Sequence, residues 1–460
     1  MNRWKLFKDA ILGKEQDFTK VNLKTAIFVL SVPMILEMMM ESAFAVVDIF
    51  FVGKLGEQAA ATVGLTEAIL MIVYSIGVGM SMAATAMVAR RFGEKRYGEA
   101  GATAFQLVGL GAIFSLVIAI GGFVFAEEIL QIMGASEEVL AIGVPYTRVI
   151  FAGNMAIMLL FLINGAFRGA GQPHLAMRAL WISNGINIVL DPILIFGIGN
   201  WGGMGLEGAA WATTIGRSIG VIYQLYHLLN GKHHLVILRE HIVVKWSVIR
   251  RILSISVSGM GQFLIDSVAW IVLIRMSSSF GDDAVAGLTI TFRIIMFSLM
   301  PAWGLSAAAS TLVGQNLGAK KVKRASLSVW LTVRYNVIFL FLVTVIYLVF
   351  GNTIAGWFIE SPAVIDTIST GLRVIVLGYV FFAVGMVMIQ AFNGAGDTRT
   401  PMFINIFVFL LIEIPLAFFL ALFLEMQMLG IFITIAFCHS LHALVALWMF
   451  RKGRWKQVEV

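Results

Sequence analysis

The sequence predicts an all-α membrane protein of twelve transmembrane helices arranged as two related halves. Of its 460 residues, 59% are hydrophobic and only 13% are charged, whereas a soluble globular protein carries about 25% charged residues. Apolar runs of about 20 residues, the length needed to cross a hydrocarbon core, recur along the whole chain. A helix satisfies all its backbone polar groups within one such run, so each run is predicted to be helical.

The apolar runs place the twelve spans in order along the chain. The predicted spans are residues 26–53, 58–90, 101–122, 141–167, 174–198, 205–229, 248–275, 283–314, 325–350, 370–392, 401–424 and 427–450.

Lys and Arg sort the loops between these spans into two classes. Basic clusters occur at residues 3–24, 90–96, 232–251, 320–324 and 451–456, whereas loops 123–140, 199–204, 351–369 and 425–426 contain neither residue type. Cytoplasmic loops carry such a basic excess, so both termini are expected to be cytoplasmic and the protein to lie in the inner membrane. The net charge of +7 therefore reflects membrane topology and not nucleic-acid binding.

An internal repeat divides the chain into two lobes. Phe167-Arg-Gly-Ala-Gly171 reappears, shifted by 225 positions, as Phe392-Asn-Gly-Ala-Gly396. A period of this length indicates two homologous bundles, and an even number of spans in each bundle predicts parallel halves. The predicted domains are an N-terminal lobe at 1–229, a cytoplasmic linker at 230–247 and a C-terminal lobe at 248–460.

Carboxylates inside the spans are the first functional signal, because each costs free energy in a membrane and marks a substrate or ion pathway by default. They are Glu37, Glu41, Asp48, Glu67, Asp191, Asp266 and Glu413. Glu37, Glu41 and Asp48 fall within about 40° on one face of a helix. Asn184, Asn187 and Asp191 form a second polar stripe. Hydrogen bonding that merely holds helices together is the alternative explanation for such stripes.

Two prolines lie beside these acids. Pro192 directly follows Asp191, and Pro33 comes one turn before Glu37. Each proline removes one helical hydrogen bond, so the first and fifth spans are predicted to bend there and act as hinges. Carboxylates that share a poorly hydrated pocket can hold a proton or, after losing it, a cation. No nucleotide-binding loop, metal cluster or nucleophile with a partnered base is found in the sequence, so neither an enzyme nor an organic cofactor is expected.

Several motifs together resemble the multidrug and toxic compound extrusion (MATE) transporters over nearly the whole chain. They are Val47-Asp48-Ile-Phe-Phe-Val-Gly53-Lys-Leu-Gly56, Asn187 to Pro192, Gly394-Ala-Gly-Asp-Thr-Arg-Thr-Pro401 and the internal repeat. The resemblance implies two six-helix lobes around a central cleft. It also implies export of cationic or amphipathic small molecules in exchange for protons or sodium.

The resemblance also implies a coupling site in the N-terminal lobe. Asp48 and Asp191 match the two aspartates of the prokaryotic branch named for DNA-damage-inducible protein F. Asn187, Tyr146 and Thr213 match an asparagine, a tyrosine and a threonine of that branch.

A second branch, named for norfloxacin resistance, instead uses acids in the seventh and tenth helices. Here the tenth span has no acid, and Asp266 in the seventh is offset from the usual glutamate, to which Gln262 is closer. This departure favours the N-terminal site.

We therefore expect a proton-coupled antiporter that works by alternating access. Sodium is the rival coupling ion, for which Asp48, Asn187, Asp191 and Thr213 would supply a cage of hard oxygen ligands. A secondary or substrate-binding role is expected for Glu37, Glu41, Asn184 and Asp266. The alternatives are a lipid or polysaccharide-precursor flippase of related fold and a channel. A monomer surrounded by lipid is expected, with no cofactor besides the coupling ion.

Overall fold

The computed structural model describes residues 3–14, 16–231 and 233–460. Lys232, which belongs to the predicted linker, and residues 1, 2 and 15 lie outside the described residues. In chain order the α-helices are α1 (Arg3–Leu12), α2 (Leu23–Gly53), α3 (Glu57–Gly93), α4 (Tyr97–Val124), α5 (Ala126–Ile132), α6 (Glu137–Ala152), α7 (Asn154–Gly169), α8 (Pro173–Phe196), α9 (Leu206–Leu229), α10 (Trp246–Ser277), α11 (Asp282–Gly318), α12 (Val322–Gly356), α13 (Pro362–Ile375), α14 (Tyr379–Ala395), α15 (Arg399–Asn405), α16 (Ile414–Ala417) and α17 (Gln427–Lys452). Two π-helical segments, Ile406–Glu413 and Phe418–Phe423, follow α15 and α16.

Each predicted span corresponds to one of these helices or to a consecutive set of them. Nine helical segments of the described chain are long and apolar enough to cross a membrane, and the bent pair α6 and α7 makes a tenth. The remaining two predicted spans are α2 and α9, with 31 and 24 residues. At a rise of about 1.5 Å per residue, both exceed a hydrocarbon core of about 30 Å. The predicted all-α membrane fold is confirmed.

The fourth span differs from the single helix that was predicted over 141–167. It is bent by 40° between α6 and α7, and Gly153 at the break lies against the side chain of Thr214. A methyl group at Gly153 would overlap the Thr214 Oγ1 atom. The tenth span is interrupted by a 3₁₀ turn at Val376–Gly378, and Gly378 is the counterpart of Gly153 in the internal repeat. The two breaks therefore occupy equivalent positions of the repeat.

The two predicted hinge prolines lie inside continuous helices. Pro33 is in the first half of α2, and Pro192 is one turn from the end of α8. Neither interrupts its helix. Their role as hinges remains a prediction.

Contacts divide the chain into two compact units. Unit 1 contains the described residues up to Gln16 together with Leu36–Met260, and unit 2 contains Asp17–Ile35 together with Gly261–Val460. This division differs from the predicted lobes at two places. The start of α2 belongs to unit 2, and the predicted linker with the start of α10 belongs to unit 1.

Local packing explains both differences. In unit 2, a methyl group at Gly304 of α11 would lie 2.7 Å from the carbonyl oxygen of Met34, so this part of α2 is in close contact with α11. In unit 1, the backbone amide of Lys245, at the end of the linker, donates to Gln106 Oε1 of α4 at 2.9 Å.

Close packing of α8 against α9 positions the polar stripe of unit 1. Gly216 on α9 faces α8, and a methyl group there would lie 2.6 Å from the carbonyl oxygen of Ser183 and 3.3 Å from the Cβ atom of Asn187. Small residues of this kind let two membrane helices approach closely. Polar side chains on the facing surfaces of α8 and α9 are thereby brought within hydrogen-bonding distance.

Candidate functional site

Three helices of unit 1 bring their polar side chains together. Two of the stripes were predicted, on α2 and on α8. The third, on α9, consists of Thr213, Arg217 and Gln224, spaced by four and eleven positions like the acids of α2. Hydrogen bonds order these side chains into three successive layers.

The first layer surrounds Glu37, which is 2% exposed. Asn164 Nδ2 of α7 donates to Glu37 Oε1 at 3.2 Å, and Arg168 Nη1 lies 3.9 Å from the same oxygen. Gln224 Nε2 donates to Asn164 Oδ1 at 2.6 Å, which orients the amide. The carboxylate of Glu37 is therefore opposed by a guanidinium.

The second layer is an ion pair between α2 and α9. Arg217 Nη2 donates to Glu41 Oε1 at 2.8 Å, and Nη1 donates to Oε2 at 3.4 Å. Asn184 Nδ2 of α8 donates to Glu41 Oε2 at 3.0 Å, and the guanidinium lies 5.1 Å from the centre of the Phe44 ring. Bidentate pairing of this kind neutralises Glu41 and joins three helices.

The third layer contains Asn187, Thr213 and Asp191. Asn187 Nδ2 donates to Thr213 Oγ1 at 3.1 Å. Asp191 is fully buried. Neither of its carboxylate oxygens, nor Asn187 Oδ1, has a hydrogen-bond partner among the residues that the structure describes.

Asp48 and Tyr146 complete this layer. Asp48 is half-buried and lies within electrostatic range of the Asp191 carboxylate and of the Arg217 guanidinium. Tyr146 on α6 is 7% exposed and interacts electrostatically with both aspartates. It belongs to an apolar cluster that also contains Val52 and Ile195, each one turn beyond one of the aspartates. The pair of acids therefore lies beside a dry core.

The four acids of this site thus fall into two kinds. Glu37 and Glu41 each face an arginine, Arg168 or Arg217. Asp48 and Asp191 have no ion-pair partner within the described part of the chain. Two like charges that lie together in a poorly hydrated place favour the uptake of a proton or a cation. The oxygens of Asn187 and Thr213 add hard ligands suited to sodium.

Asp266, the predicted acid of the C-terminal lobe, lies in unit 2 with different neighbours. Asn405 Nδ2 donates to Asp266 Oδ1 at 2.9 Å, and Asn405 Oδ1 lies 3.0 Å from His442 Nε2. Gln262, the nearby match to the family glutamate, pairs with Asn393 at 3.2 Å.

Comparison with known proteins identifies the architecture. The family model described as MatE matches residues 33–193 and again 260–419. The two matches together cover more than half of the chain and reproduce its internal repeat.

The chain belongs to the MATE family.

Relatives and solved structures agree with this assignment. A probable multidrug resistance protein NorM of Thermotoga maritima is 26% identical over 99% of this chain and 97% of its own length. An FAD transporter of Shewanella oneidensis is 25% identical over 84% of this chain and 86% of its own length. A solved structure of a multidrug resistance MATE family transporter in an outward-facing conformation has a TM-score of 0.90 and 25% identity, covering 97% of this chain and 99% of the other. The chain is therefore a multi-pass membrane protein of a family of transporters.

The structure gathers the residues that the resemblance implied. Asp48, Tyr146, Asn187, Asp191 and Thr213 occupy one layer of unit 1. Glu37, Glu41 and Asn184 lie in the other two layers of the same unit. Asp266 lies elsewhere, in unit 2. The ion-binding role of all these residues remains a prediction.

Four partners were not predicted as site residues. They are Asn164, Arg168, Arg217 and Gln224. A signal existed for two of them, because Thr213, Arg217 and Gln224 share one helical face. Asn164 and Arg168 do not belong to a stripe of three polar residues. Only their contacts with Glu37 identify them as part of the site.

Proposed function

We propose that this MATE protein is a secondary multidrug antiporter of the inner membrane, with both termini cytoplasmic. It exports cationic or amphipathic compounds in exchange for protons. Asp48 and Asp191 are its coupling residues, and Asn187, Tyr146 and Thr213 shape their surroundings.

One observation supports this proposal above the others. Of the four buried or half-buried acids that line α2 and α8, only Asp48 and Asp191 lack an arginine partner within the described residues. Their mutual repulsion is relieved when one proton binds, whereas Glu37 and Glu41 are already opposed by guanidinium groups. The exchangeable charge therefore resides on the two aspartates.

Protonation changes the hydrogen-bonding capacity of this layer. An ionised carboxylate only accepts hydrogen bonds, but a protonated one also donates. The unpaired Oδ1 of Asn187 is an acceptor suited to such a donor. A new bond from a protonated Asp48 of α2 to Asn187 of α8 would draw the two helices together, with Pro33 and Pro192 as the places where each helix bends. A proton shifts the conformational balance only by its different affinity for the two states.

The charge pattern also supports a cationic cargo. Arg168 and Arg217, the arginines of this site, both face carboxylates, so neither offers its full charge to an anionic compound. One relative is named an FAD transporter, and FAD is an anionic dinucleotide. A carrier of FAD would be expected to present a positive side chain that no carboxylate opposes.

Transport by purified protein in liposomes tests the proposal. We expect an imposed proton gradient to drive uptake of ethidium into these liposomes. Asp48→Asn and Asp191→Asn should each lower the rate by at least about tenfold, equivalent to about 1.4 kcal/mol, because the amide mimics a permanently protonated acid.

The matched control is Glu57→Gln, which removes an exposed carboxylate at the start of α3 and should leave transport unchanged. Full proton-driven transport by both aspartate variants would end the proposal. If an imposed sodium gradient drives transport and the proton gradient has no effect, the same site would be retained with sodium as the coupling ion.

A further inference from the structure

A shallow groove at the start of α12, in unit 2, combines basic and apolar side chains. Its volume is about 310 Å³, and its lining residues are Val322, Lys323, Ser326, Leu327, Trp330 and Lys456. Both lysine side chains are exposed, and no carboxylate of the described residues lines the groove. The groove therefore presents two positive charges that no acid on its walls opposes.

The C-terminal segment forms the second wall of this groove, which we call the α12 groove. Trp455 is fully buried. Its ring stacks on Phe450 with 4.8 Å between ring centres, and its Nε1 atom donates to the carbonyl oxygen of Phe450 at 3.0 Å. The ring of Trp330 on α12 lies 6.2 Å from the same phenylalanine ring. These contacts hold Lys456, the next residue, beside α12, so that both lysines face one space.

Two other basic residues at the start of α12 contact a different part of unit 2. Lys321 Nζ donates to the carbonyl oxygen of Thr19 at 2.8 Å, and Arg324 Nη2 donates to that of Phe18 at 3.2 Å. Their charges therefore help to hold the segment that precedes α2. Lys323 lies between them in the sequence but lines the groove, where its ammonium group can meet a ligand.

An exposed apolar face continues from the groove along α12. Leu327, Trp330, Ile338 and Phe341 are each between 39% and 53% exposed. At 3.6 residues per turn they lie on the same side of the helix as Lys323. Since α12 is long and apolar enough to cross a membrane, this side is expected to face lipid chains. The groove then lies where a lipid headgroup would be.

Arg334 adds a positive charge to the same face of α12. It is exposed and lies about one turn beyond Trp330. Long side chains on a helix lean toward its N-terminus, which here is the direction of the groove. A charged side chain within a membrane span is costly unless an opposite charge or water reaches it. An anionic group bound in the groove would lower that cost.

The internal repeat shows what covers the equivalent face in unit 1. The start of α4 corresponds to the start of α12, shifted by 225 positions, and Lys95 and Lys320 before the two helices share a left-handed φ of 61° and 58°. On α4 the linker lies across this face. A methyl group at Gly101 would lie 2.5 Å from His241 Nδ1, and Ala102 is only 8% exposed. In unit 1, a segment of the chain itself therefore covers the face.

Larger side chains occupy the same positions in unit 2. The residues Lys323, Ser326 and Leu327 stand where unit 1 has Gly98, Gly101 and Ala102. A chain segment could not approach α12 as closely as the linker approaches α4, because these side chains fill the space that the glycines leave. The face of α12 is instead open, with positive charge at one end and apolar side chains beyond it.

We propose that the α12 groove binds the headgroup of an anionic phospholipid. The phosphate lies between Lys323 and Lys456, beside the start of α12, where the helix dipole also favours an anion. The volume is near the lower limit of ligand pockets, about 300 Å³, so the groove holds a headgroup while an acyl chain lies over Leu327 and Trp330. The apolar face favours a lipid over a free phosphate compound. Under the proposed topology the lipid belongs to the cytoplasmic leaflet, whose anionic lipids attract basic segments.

Native mass spectrometry of the purified full chain in detergent tests the site. The protein is titrated with dioleoyl phosphatidylglycerol and, separately, with dioleoyl phosphatidylcholine. We expect the unchanged protein to bind phosphatidylglycerol at least about tenfold more tightly, because two lysines face the headgroup. Lys323→Gln and Lys456→Gln should each lower this affinity by about fivefold. The double variant should lose the preference for phosphatidylglycerol, whereas its affinity for phosphatidylcholine should change little.

Two matched variants separate the groove from general surface charge. Lys320→Gln with Lys452→Gln removes the same net charge from the same two basic regions, but neither lysine lines the groove, so the preference should be retained. Lys323→Arg with Lys456→Arg keeps both charges and should also retain it. Leu327→Glu changes an exposed position and places a carboxylate in the groove. It should abolish the preference while both lysines remain.

Equal affinities of the unchanged protein for the two lipids would overturn the site. Equal losses in the two double-glutamine variants would overturn it as well, since charge outside the groove would then act equally. Glycerophosphoglycerol, which is the headgroup without acyl chains, and inorganic phosphate serve as competitors, and we expect neither to displace the lipid at millimolar concentration. Displacement by either would overturn the assignment to a lipid and indicate a soluble phosphate compound. Binding is measured without an ion gradient, so the outcome is independent of the proposed transport function.

Discussion

In unit 1, the side chains of Glu37 and Arg168 form an ion pair with a separation of 3.9 Å. In unit 2, their counterparts in the repeat are Gln262 and Asn393, joined by an amide hydrogen bond of 3.2 Å. The contact between the two helices is kept, but the charge is removed. Both units keep an acid at the next equivalent position, Glu41 in unit 1 and Asp266 in unit 2. Glu41 pairs directly with Arg217. Asp266 is linked through Asn405 to His442.

This difference separates two tasks that polar residues perform in a membrane. Interhelical hydrogen bonds hold helices together without any charge, as Gln262 and Asn393 show. Charged pairs are therefore not required for assembly at these positions. Their presence in unit 1 places a guanidinium beside Glu37 and beside Glu41, whereas Asp48 and Asp191 have no ion-pair partner among the described residues.

Removing Arg217 is expected to have the largest effect on this comparison. Arg217→Met would leave Glu41 with Asn184 as its remaining donor, and breaking a fully buried ion pair costs about 3 kcal/mol or more. Because Glu41 is 32% exposed, we expect a somewhat smaller loss of stability, about 2 kcal/mol. The thermal unfolding temperature in detergent should fall markedly, and transport should be lost.

The double variant Arg217→Met with Glu41→Gln serves as control for this change. It removes both charges at once, so no unpaired carboxylate is left, and it should recover most of the lost stability. Equal destabilisation of the single and double variants would contradict the view that Arg217 acts by neutralising Glu41.

Exchanging arginine for histidine in unit 1 should make the stability that the ion pair with Glu41 contributes depend on pH. In Arg217→His, a protonated imidazole pairs with Glu41 at acidic pH, below the ordinary histidine pKa of about 6.5. That stabilisation is present at low pH and is lost as pH rises. We expect the unfolding temperature of the variant, relative to the unchanged protein, to fall by a few degrees between pH 5.5 and pH 8.

Arg217→Lys is the control for the histidine variant, because lysine keeps its charge through this range. It should show a parallel pH profile to the unchanged protein. Coincident profiles for Arg217→His and Arg217→Lys would show that the ion pair with Glu41 contributes nothing to stability.

The smallest effect is expected at Thr213. Thr213→Val removes the oxygen that accepts from Asn187 Nδ2 at 3.1 Å while keeping the shape of the side chain. If sodium is the coupling ion, one oxygen ligand is lost and sodium-driven transport should fall by at least about tenfold. If the proton is the coupling ion, proton-driven transport should change by no more than about fivefold, since a single neutral hydrogen bond contributes about 1 kcal/mol or less. Liposome transport under each gradient distinguishes the two.

Two features of the sequence predicted most of the fold. The length of the apolar runs located the twelve spans, and the internal repeat identified equivalent residues in the two halves. The bend at Gly153 was not predicted, because a glycine in an apolar run is compatible with a straight helix until the Thr214 side chain opposite it is known. The unit boundary inside α2 also depends on contacts with α11 that no local pattern records.

The candidate site was predicted in part. The stripes of α2 and α8 followed from helical spacing, and the resemblance to the MATE family selected Asp48 and Asp191 among seven acids. Asn164 and Arg168 could not be found this way, since their contacts with Glu37 join side chains that are more than a hundred positions apart in the chain.

By itself, the sequence determined that this chain crosses a membrane as helices, that its two halves are related, and that acids lie on particular helical faces. These properties depend on the chemistry of neighbouring residues and on the geometry of one helix. Only the tertiary structure decided which acids are neutralised, because the charge state of a carboxylate depends on the side chains of other helices. That placement joins Glu41 to Arg217 and leaves Asp48 and Asp191 without an ion-pair contact among the described residues.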